Sequence, residues 1–197
     1  MSAFASLAGE ARWVAWRAEQ RSSNGKPTKI PYSQPSLKAR ADDPSTWQAR
    51  DAAEQLATKI VNGLGGGIGI ELGDIGADLY LGGVDLDSCI DEHGCLASWA
   101  EQILVELPTY AETSPSGNGL KAFFYLASED VRRFLEILDV ATDQWGTKRG
   151  IPGYSGGDHG DPASRFIPRT GFSPSPSSCF PDARTRLPSW IGNNSND

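Results

Sequence analysis

From residue 79 onward the chain runs through strand-like and helix-like segments in an order that few folds accommodate. LYLGGVDLD reads as a strand, Ser98 to Leu107 as a helix, TYAETS and LKAFFYL as two further strands, and Ser128 to about Val140 as an amphipathic helix capped by Ser128. A last strand is expected from IPGYS, RFIPRT or both. The order is βαββαβ, the split βαβ arrangement of ferredoxin-like and RNA-recognition folds, in which the first and third strands are central neighbours. The predicted fold class is therefore α+β.

Upstream, RWVAWRAE alternates bulky apolar and polar residues, and an Asn24-Gly25 turn signal precedes a short apolar stretch from Lys29 to Tyr32, which together predict a hairpin. Asp43-Pro44 supplies a cap and a first-turn proline for a helix whose apolar face is Trp47, Ala52, Ala53, Leu56 and Ile60, and Gly63 ends it. GIGIEL follows as a strand entered through Gly65, Gly66 and Gly67; with no GKS or GKT ending and no helix after it, these are turn glycines rather than a phosphate loop. Two parts result, 12–78 and 79–171. The Pro- and Ser-rich sequence over 172–197 is expected to wrap the surface or begin a linker.

The bulk numbers narrow the function. A net charge of −7 over 197 residues argues against a globally basic nucleic-acid binder, so any such contact must be local. No run of eighteen apolar residues occurs and MSAFASLAGEARW lacks a secretory pattern, so a cytoplasmic protein without membrane contact is expected. Cys89, Cys95 and Cys179 contain no paired CxxC and read as reduced thiols; Cys89, His93 and Cys95 lack an evident fourth zinc ligand. Trp13, Trp16 and Trp47 are expected in the core.

The chemistry centres on GVDLD. Residues two apart on a strand share a face, so Asp85 and Asp87 project together while Val84 and Leu86 pack below. Two such carboxylates suit two Mg2+ or Mn2+ ions, hard cations that take oxygen ligands and can activate a hydroxyl while stabilising departing pyrophosphate. An Asp-x-Asp is equally at home in turns and surface calcium sites. A second constellation, Ser114-Pro115-Ser116-Gly117-Asn118-Gly119, lies between the strands expected to flank the acids; its plain reading is a hairpin turn. If Leu120, Ala122 and Phe124 pack against helices, Lys121, Phe123 and Tyr125 emerge on an open face beside the aspartates. Lys26 and Lys29 of GKPTK, with Arg165 and Arg169, offer a local basic track for DNA, or simply a solvated hairpin face.

Taken in order, RWVAW, GKPTKIPY, DDPSTW, GIGIEL, GVDLDSCID, TYAETSPSGNGLKAFF and RFIPRTG resemble the phage and plasmid primase-polymerase domains of the archaeo-eukaryotic primase superfamily, over about residues 12 to 171. The resemblance implies a two-lobed catalytic domain over 1–171 with a palm-like βαββαβ part, and template-directed DNA synthesis from nucleoside triphosphates on single-stranded template and primer. It further implies a two-metal mechanism and a replicative helicase in cis or trans. It assigns Asp85 and Asp87 to metal, and Ser116, Gly117, Asn118, Gly119 and Lys121 to the triphosphate; Ser114 and Arg165 are expected to join them at the nucleotide. Two departures stand out: the family often has His where Lys121 stands, and IPGY has no third acid before Arg165-Phe166, leaving Asp158, Asp161 or Glu112 to complete the site. A cyclase or nuclease, or a non-catalytic replication module that binds nucleotide or DNA, would share parts of this pattern. A rolling-circle nicking enzyme has the same strand order but needs a His-x-His-type metal site and a nucleophilic Tyr, and His93 and His159 are isolated.

Overall fold

The computed structural model describes residues 4–21, 23, 25–137 and 139, and the strand backbones of 147–150, 163–167 and 172–174. Two antiparallel sheets organise them. The first contains β1 (Trp13–Glu19), β2 (Thr28–Gln34), β3 (Leu37–Lys38), β4 (Gly66–Glu71) and β11 (Phe172–Pro174), in the order β11-β4-β1-β2-β3. The second contains β5 (Gly73–Gly76), β6 (Leu79–Asp87), β7 (Tyr110–Thr113), β8 (Leu120–Ala127), β9 (Thr147–Gly150) and β10 (Ala163–Ile167). Its order is β7-β8-β6-β10-β9, with β5 also pairing β6. The mixed α+β class holds, and β6 and β8 are the central neighbours that the split βαβ order requires.

Several local expectations shift. Asp43 does cap a turn, accepting from the Ser45 amide, but that turn is the short 3-10 segment Pro44–Thr46, and helix α1 begins only at Arg50 and runs to Ile60. Helix α2 is Ser98–Glu106. The expected helix from Ser128 is a 3-10 turn, Ser128–Asp130, leading into α3, Val131–Ile137. Ser128 makes no side-chain cap; its amide donates to the Asp78 carbonyl, tying the end of β8 to the start of β6. Residues 151–155, IPGYS, lie outside the described residues. The segment after Gly171, expected to wrap the surface or begin a linker, opens with β11, which takes in Ser173 and Pro174 of the Pro- and Ser-rich stretch and extends the first sheet beside β4.

Three apolar clusters hold the layers. Ala15, Ile30 and Tyr32 of the first sheet receive Leu56, Ala57 and Ile60 of α1. Val84, Leu86 and Ala122 of the second receive Trp99 and Ala100 of α2, while Phe124 meets Phe134 of α3 edge-on at 5.5 Å between ring centroids. A third cluster joins the sheets, with Trp13, Ile70, Leu72, Leu81 and Phe123 buried together. Leu81 and Phe123 occupy the face of β6 and β8 opposite the helices. That face was expected to be open; its apolar end is covered, and Phe123 is 3% exposed. Trp13 and Trp16 are core residues as expected, at 1% and 4% exposure, whereas Trp47 is only partly buried, closing the 3-10 turn ahead of α1 with its indole N–H donating to the Arg40 carbonyl.

One buried acid stands apart from the apolar packing. Glu71, at the end of β4, is fully buried and neither carboxylate oxygen has a hydrogen-bond partner among the described residues. The nearby Arg12 guanidinium donates to the main-chain carbonyls of Glu71 and Asp74. Burial raises the Glu71 pKa from 4.5 to about 7, against the opposing pull of Arg12. An acid raised in the folded state keeps its proton while the unfolded chain loses it, so its linked stability is present below about pH 4.5 and is lost as pH rises through about 7. We expect Glu71→Gln to melt close to wild type at pH 5 and above it at pH 8, with a relative gain on the order of 3 kcal/mol. Thermal melts across that pH range check it.

Candidate active site

Strand β6 delivers the two aspartates. Val84 and Leu86 point into the helix side, 2% and 0% exposed, and the strand's alternation therefore turns Asp85 and Asp87 to the other face. Both are partly exposed, and the Asp85 side chain retains 16% of its accessible surface. On β8, Leu120 and Ala122 flank Lys121 on the helix side and Lys121 stands directly opposite Asp85 in the antiparallel register. Its ammonium nitrogen lies 3.0 Å from Asp85 Oδ1. Lys121 was expected to emerge on an open surface; it is 8% exposed, because Phe123, two residues on, lies under the apolar seam between the sheets. A small pocket beside this ion pair is lined by Leu72, Gly83, Asp85, Lys121 and Phe123.

The 114–119 segment is a hairpin turn whose position brings it to the acids. Ser114 N–H donates to Gly119 O at 2.7 Å and Gly117 N–H to Ser114 O at 2.9 Å. The hydroxyls of Ser114 and Ser116 are 2.8 Å apart, and Ser116 Oγ donates to Asn118 Oδ1 at 2.6 Å. Asn118 O accepts from Ile90 N–H at 3.1 Å, which clips the turn to the chain just past Asp87. Gly119 is required here by space: a Cβ would lie 2.8 Å from Leu86 O and 3.2 Å from Ser114 Oγ, and 3.7 Å from Asp87 Cα.

The remaining predicted residues divide. Arg165 takes the β10 register position opposite Asp85, and Ala163 the one opposite Asp87. Glu112 sits opposite Lys121 on the far side from Asp85, so β8 separates it from the aspartates, and it accepts a hydrogen bond from Tyr110 Oη at 2.9 Å. Among the described residues no group of three or more His, Cys, Asp or Glu could hold a metal ion. Asp158, Asp161 and Arg169 lie outside the described residues. Lys26 is exposed in the β1–β2 connection. Cys89 is a core thiol, pushed up to about 11 chiefly by burial, and Cys95 is at the surface, so the two do not form a joint metal site.

Lys29 was expected on a local DNA track with Lys26, and its surroundings differ from those of the exposed Lys26. It is half-buried on β2, its Nζ 5.4 Å from the centre of the Trp16 ring, and its pKa is lowered first by burial and then by Lys121, with Asp85 and Asp87 pulling the other way. The signal was present in TKIPY: Ile30 and Tyr32 face α1, so Lys29 and Pro31 face away from it, on the side where Trp16 lies.

No protein-family model matches this chain. A protein of Nitratiruptor phage NrS-1 named DNA Primase-polymerase is 34% identical over 120 residues. The chain resembles a phage primase-polymerase. The similarity covers 60% of this chain but 15% of that relative, so the chain spans a minor part of the protein it matches. No helix among the described residues is long and apolar enough to cross a membrane.

The tight turn gives a direct check on the site's construction. Gly119→Ala must push the β7–β8 turn off the Leu86 carbonyl, at a cost of about 1–3 kcal/mol, and we expect a lowered Tm together with weakened nucleotide binding. Gly63→Ala, where an added Cβ meets nothing within 4 Å, serves as the control in the same melts and binding titrations.

Proposed function

We propose that this chain is a primase-like domain that adds nucleotides to a primer on a single-stranded DNA template, by a two-metal mechanism, in phage or plasmid replication. The carrying observation is the convergence of Asp85 and Asp87 from β6 with Lys121 from β8, at 3.0 Å from Asp85, in a chain similar to a phage primase-polymerase. Nucleoside triphosphates, template and primer are the substrates of this reading, and a replicative helicase is its partner.

The donor set fits hard divalent cations. Asp85 and Asp87 are partly exposed carboxylates on one strand face, and Mg2+ is commonly held by one or two carboxylates with substrate phosphates and water completing its shell. Bound there, Mg2+ or Mn2+ would supply the Lewis acidity that lowers the pKa of the attacking hydroxyl and neutralises the leaving pyrophosphate. The protein's own part is placement. Lys121 has three ammonium hydrogens, and with one directed at Asp85 the others remain for phosphate oxygens. Its burial among Leu72, Ala122 and Phe123 limits the geometries it can take, so its charge is oriented before substrate arrives. The Ser114–Gly119 turn presents hydroxyls and main-chain amides beside Asp87, groups suited to the phosphate end of a nucleotide. Arg165, whose register position on β10 is opposite Asp85, is the further nucleotide contact of this reading.

A second reading has its own observation: among the described residues no third acid joins the aspartates. A domain limited to binding nucleotide or DNA would then need no turnover.

We expect Asp85→Asn and Asp87→Asn each to lower primer extension by at least about 100-fold, with Tm little changed for Asp87→Asn and lowered for Asp85→Asn, which leaves the buried Lys121 ammonium without its ion pair. Extension of a labelled primer with Mg2+ or Mn2+, alongside melting, measures this. Nucleotide binding by wild type without any incorporation favours the binding module, and full activity in both variants overturns the two-metal reading. Lys121→Ala should lose about 10-fold or more in kcat/KM for nucleotide, and Lys121→Arg less.

A further inference from the structure

We infer that Arg12 is a positioning residue for the nucleotidyl-transfer site: its guanidinium staples the crossover between the two sheets and so holds Leu72 as the wall against which the Lys121 ammonium is set. This rests on the nucleotidyl-transfer reading and adds to it a residue that is not among those lining the pocket.

The chain leaves the first sheet and enters the second within a single residue. β4 ends at Glu71, and β5 begins at Gly73, which pairs with Leu81 of β6, so Leu72 alone spans the step. Gly73 has a φ of 117°, a conformation that favours glycine and lets the backbone turn there. Arg12 holds both sides of the step. Its carbonyl accepts from the Glu71 N–H at 2.8 Å, one guanidinium nitrogen donates to the Glu71 carbonyl at 2.6 Å, and another donates to the Asp74 carbonyl. Charge neutralisation does not explain this arrangement. Neither Glu71 carboxylate oxygen has a hydrogen-bond partner among the described residues, and the Asp74 carboxylate accepts from the Gly76 N–H at 2.8 Å. Beside two acids, the guanidinium, 7% exposed, directs these nitrogens to main-chain carbonyls, and its planar fork thereby fixes backbone geometry.

What the staple holds in place is Leu72. Its side chain is 1% exposed, belongs to the apolar seam with Leu81 and Phe123, and lines the pocket beside Asp85 and Lys121. Leu72 Cδ1 lies 3.2 Å from where a Cβ at Gly83 would stand, two residues before Asp85 on β6. Lys121 is 8% exposed with its Nζ 3.0 Å from Asp85 Oδ1, so the room left to the ammonium depends on how closely this wall approaches. A shift of the crossover widens that room, and a lysine free to take several geometries loses its aim at phosphate oxygens. Arg12→Lys keeps the charge but not the fork, so one carbonyl of the two goes unheld.

The experiment measures nucleoside triphosphate binding with Ca2+ and single-nucleotide incorporation with Mg2+, below the melting temperature of every protein tested. The proteins are wild type, Arg12→Lys, Leu72→Ala, Leu72→Met, Lys121→Ala, and Arg12→Lys combined with Lys121→Ala. Arg12→Lys and Leu72→Ala are each expected to lose about 10-fold in kcat/KM for nucleotide, as slight misplacement of a site group brings, with template-primer affinity within about 2-fold of wild type. Leu72→Met, which conserves volume, recovers most of that loss. In the Lys121→Ala background Arg12→Lys still lowers Tm but brings no further loss of kcat/KM, a split that a merely structural role would not give. Arg12→Lys with a lowered Tm and wild-type kcat/KM overturns the inference and leaves the nucleotidyl-transfer reading standing. Should that variant fail to fold, wild-type kcat/KM in Leu72→Ala overturns it in the same way. An equal loss with and without the Lys121 ammonium also overturns it, since Arg12 would then act by another route. If wild type neither binds nor incorporates nucleotide, the nucleotidyl-transfer reading fails and this inference with it.

Discussion

The pairing of β6 with β8 is the contact on which the other layers depend. It runs through eight residue pairs, from Leu79 opposite Ala127 to Leu86 opposite Leu120, and it is crowded on both faces. At Gly82 the Phe124 ring approaches to 2.5 Å of where a Cβ would stand, and at Gly83 a Cβ would lie 3.2 Å from Leu72. The paired glycines thus let an aromatic ring from the helix side and the seam of the first sheet close on the same short stretch of backbone. Side chains there would force one layer or the other away, since packed interiors have little room to absorb added volume. Immediately beyond this pinched region the strand carries Val84, Asp85, Leu86 and Asp87. The acids therefore sit at the edge of a tightly closed apolar seam, where their position is set by packing they take no part in.

That placement explains the electrostatics. A Lys–Asp pair on a solvated surface is worth little, because water screens it and two long side chains must be ordered. Lys121 is 8% exposed and lies along the apolar wall, so its pairing with Asp85 answers a desolvation demand as well as a charge. Leu72, which follows directly on β4 of the first sheet, lines the pocket beside the same pair. The site is consequently a property of two sheets meeting.

Much of the second sheet was legible from residue order. The run of β6, α2, β7, β8 and α3 falls where hydrophobic patterning places it, and the central pairing of the first and third strands followed from topology. Helix starts were less legible. Asp43-Pro44 has the composition of an α-helical start yet caps a 3-10 turn six residues ahead of Arg50, because capping chemistry satisfies the first amides of either helix type. Ser128 misled in the same way, its amide being taken up by Asp78 across the sheet. The return of β11 to β4 could not be read from SPSPSS and its neighbours, since a short edge strand is defined by the partner it finds rather than by its own pattern.

By itself the sequence determined that Asp85 and Asp87 share a strand face, that Val84 and Leu86 oppose them, and that a polar turn with Gly119 must precede Lys121. Each of these follows from strand alternation or from local backbone demands, which act over a few residues. Only the tertiary structure decided that the face beside the acids is half closed, that Lys121 is buried against Asp85, and that Lys29 is half-buried over Trp16 while Lys26 stands in solvent. Alternation assigns a residue to a face. What covers that face depends on chain segments more than fifty residues away, such as Leu72 over Phe123, whose meeting is set by the packing of one sheet on another.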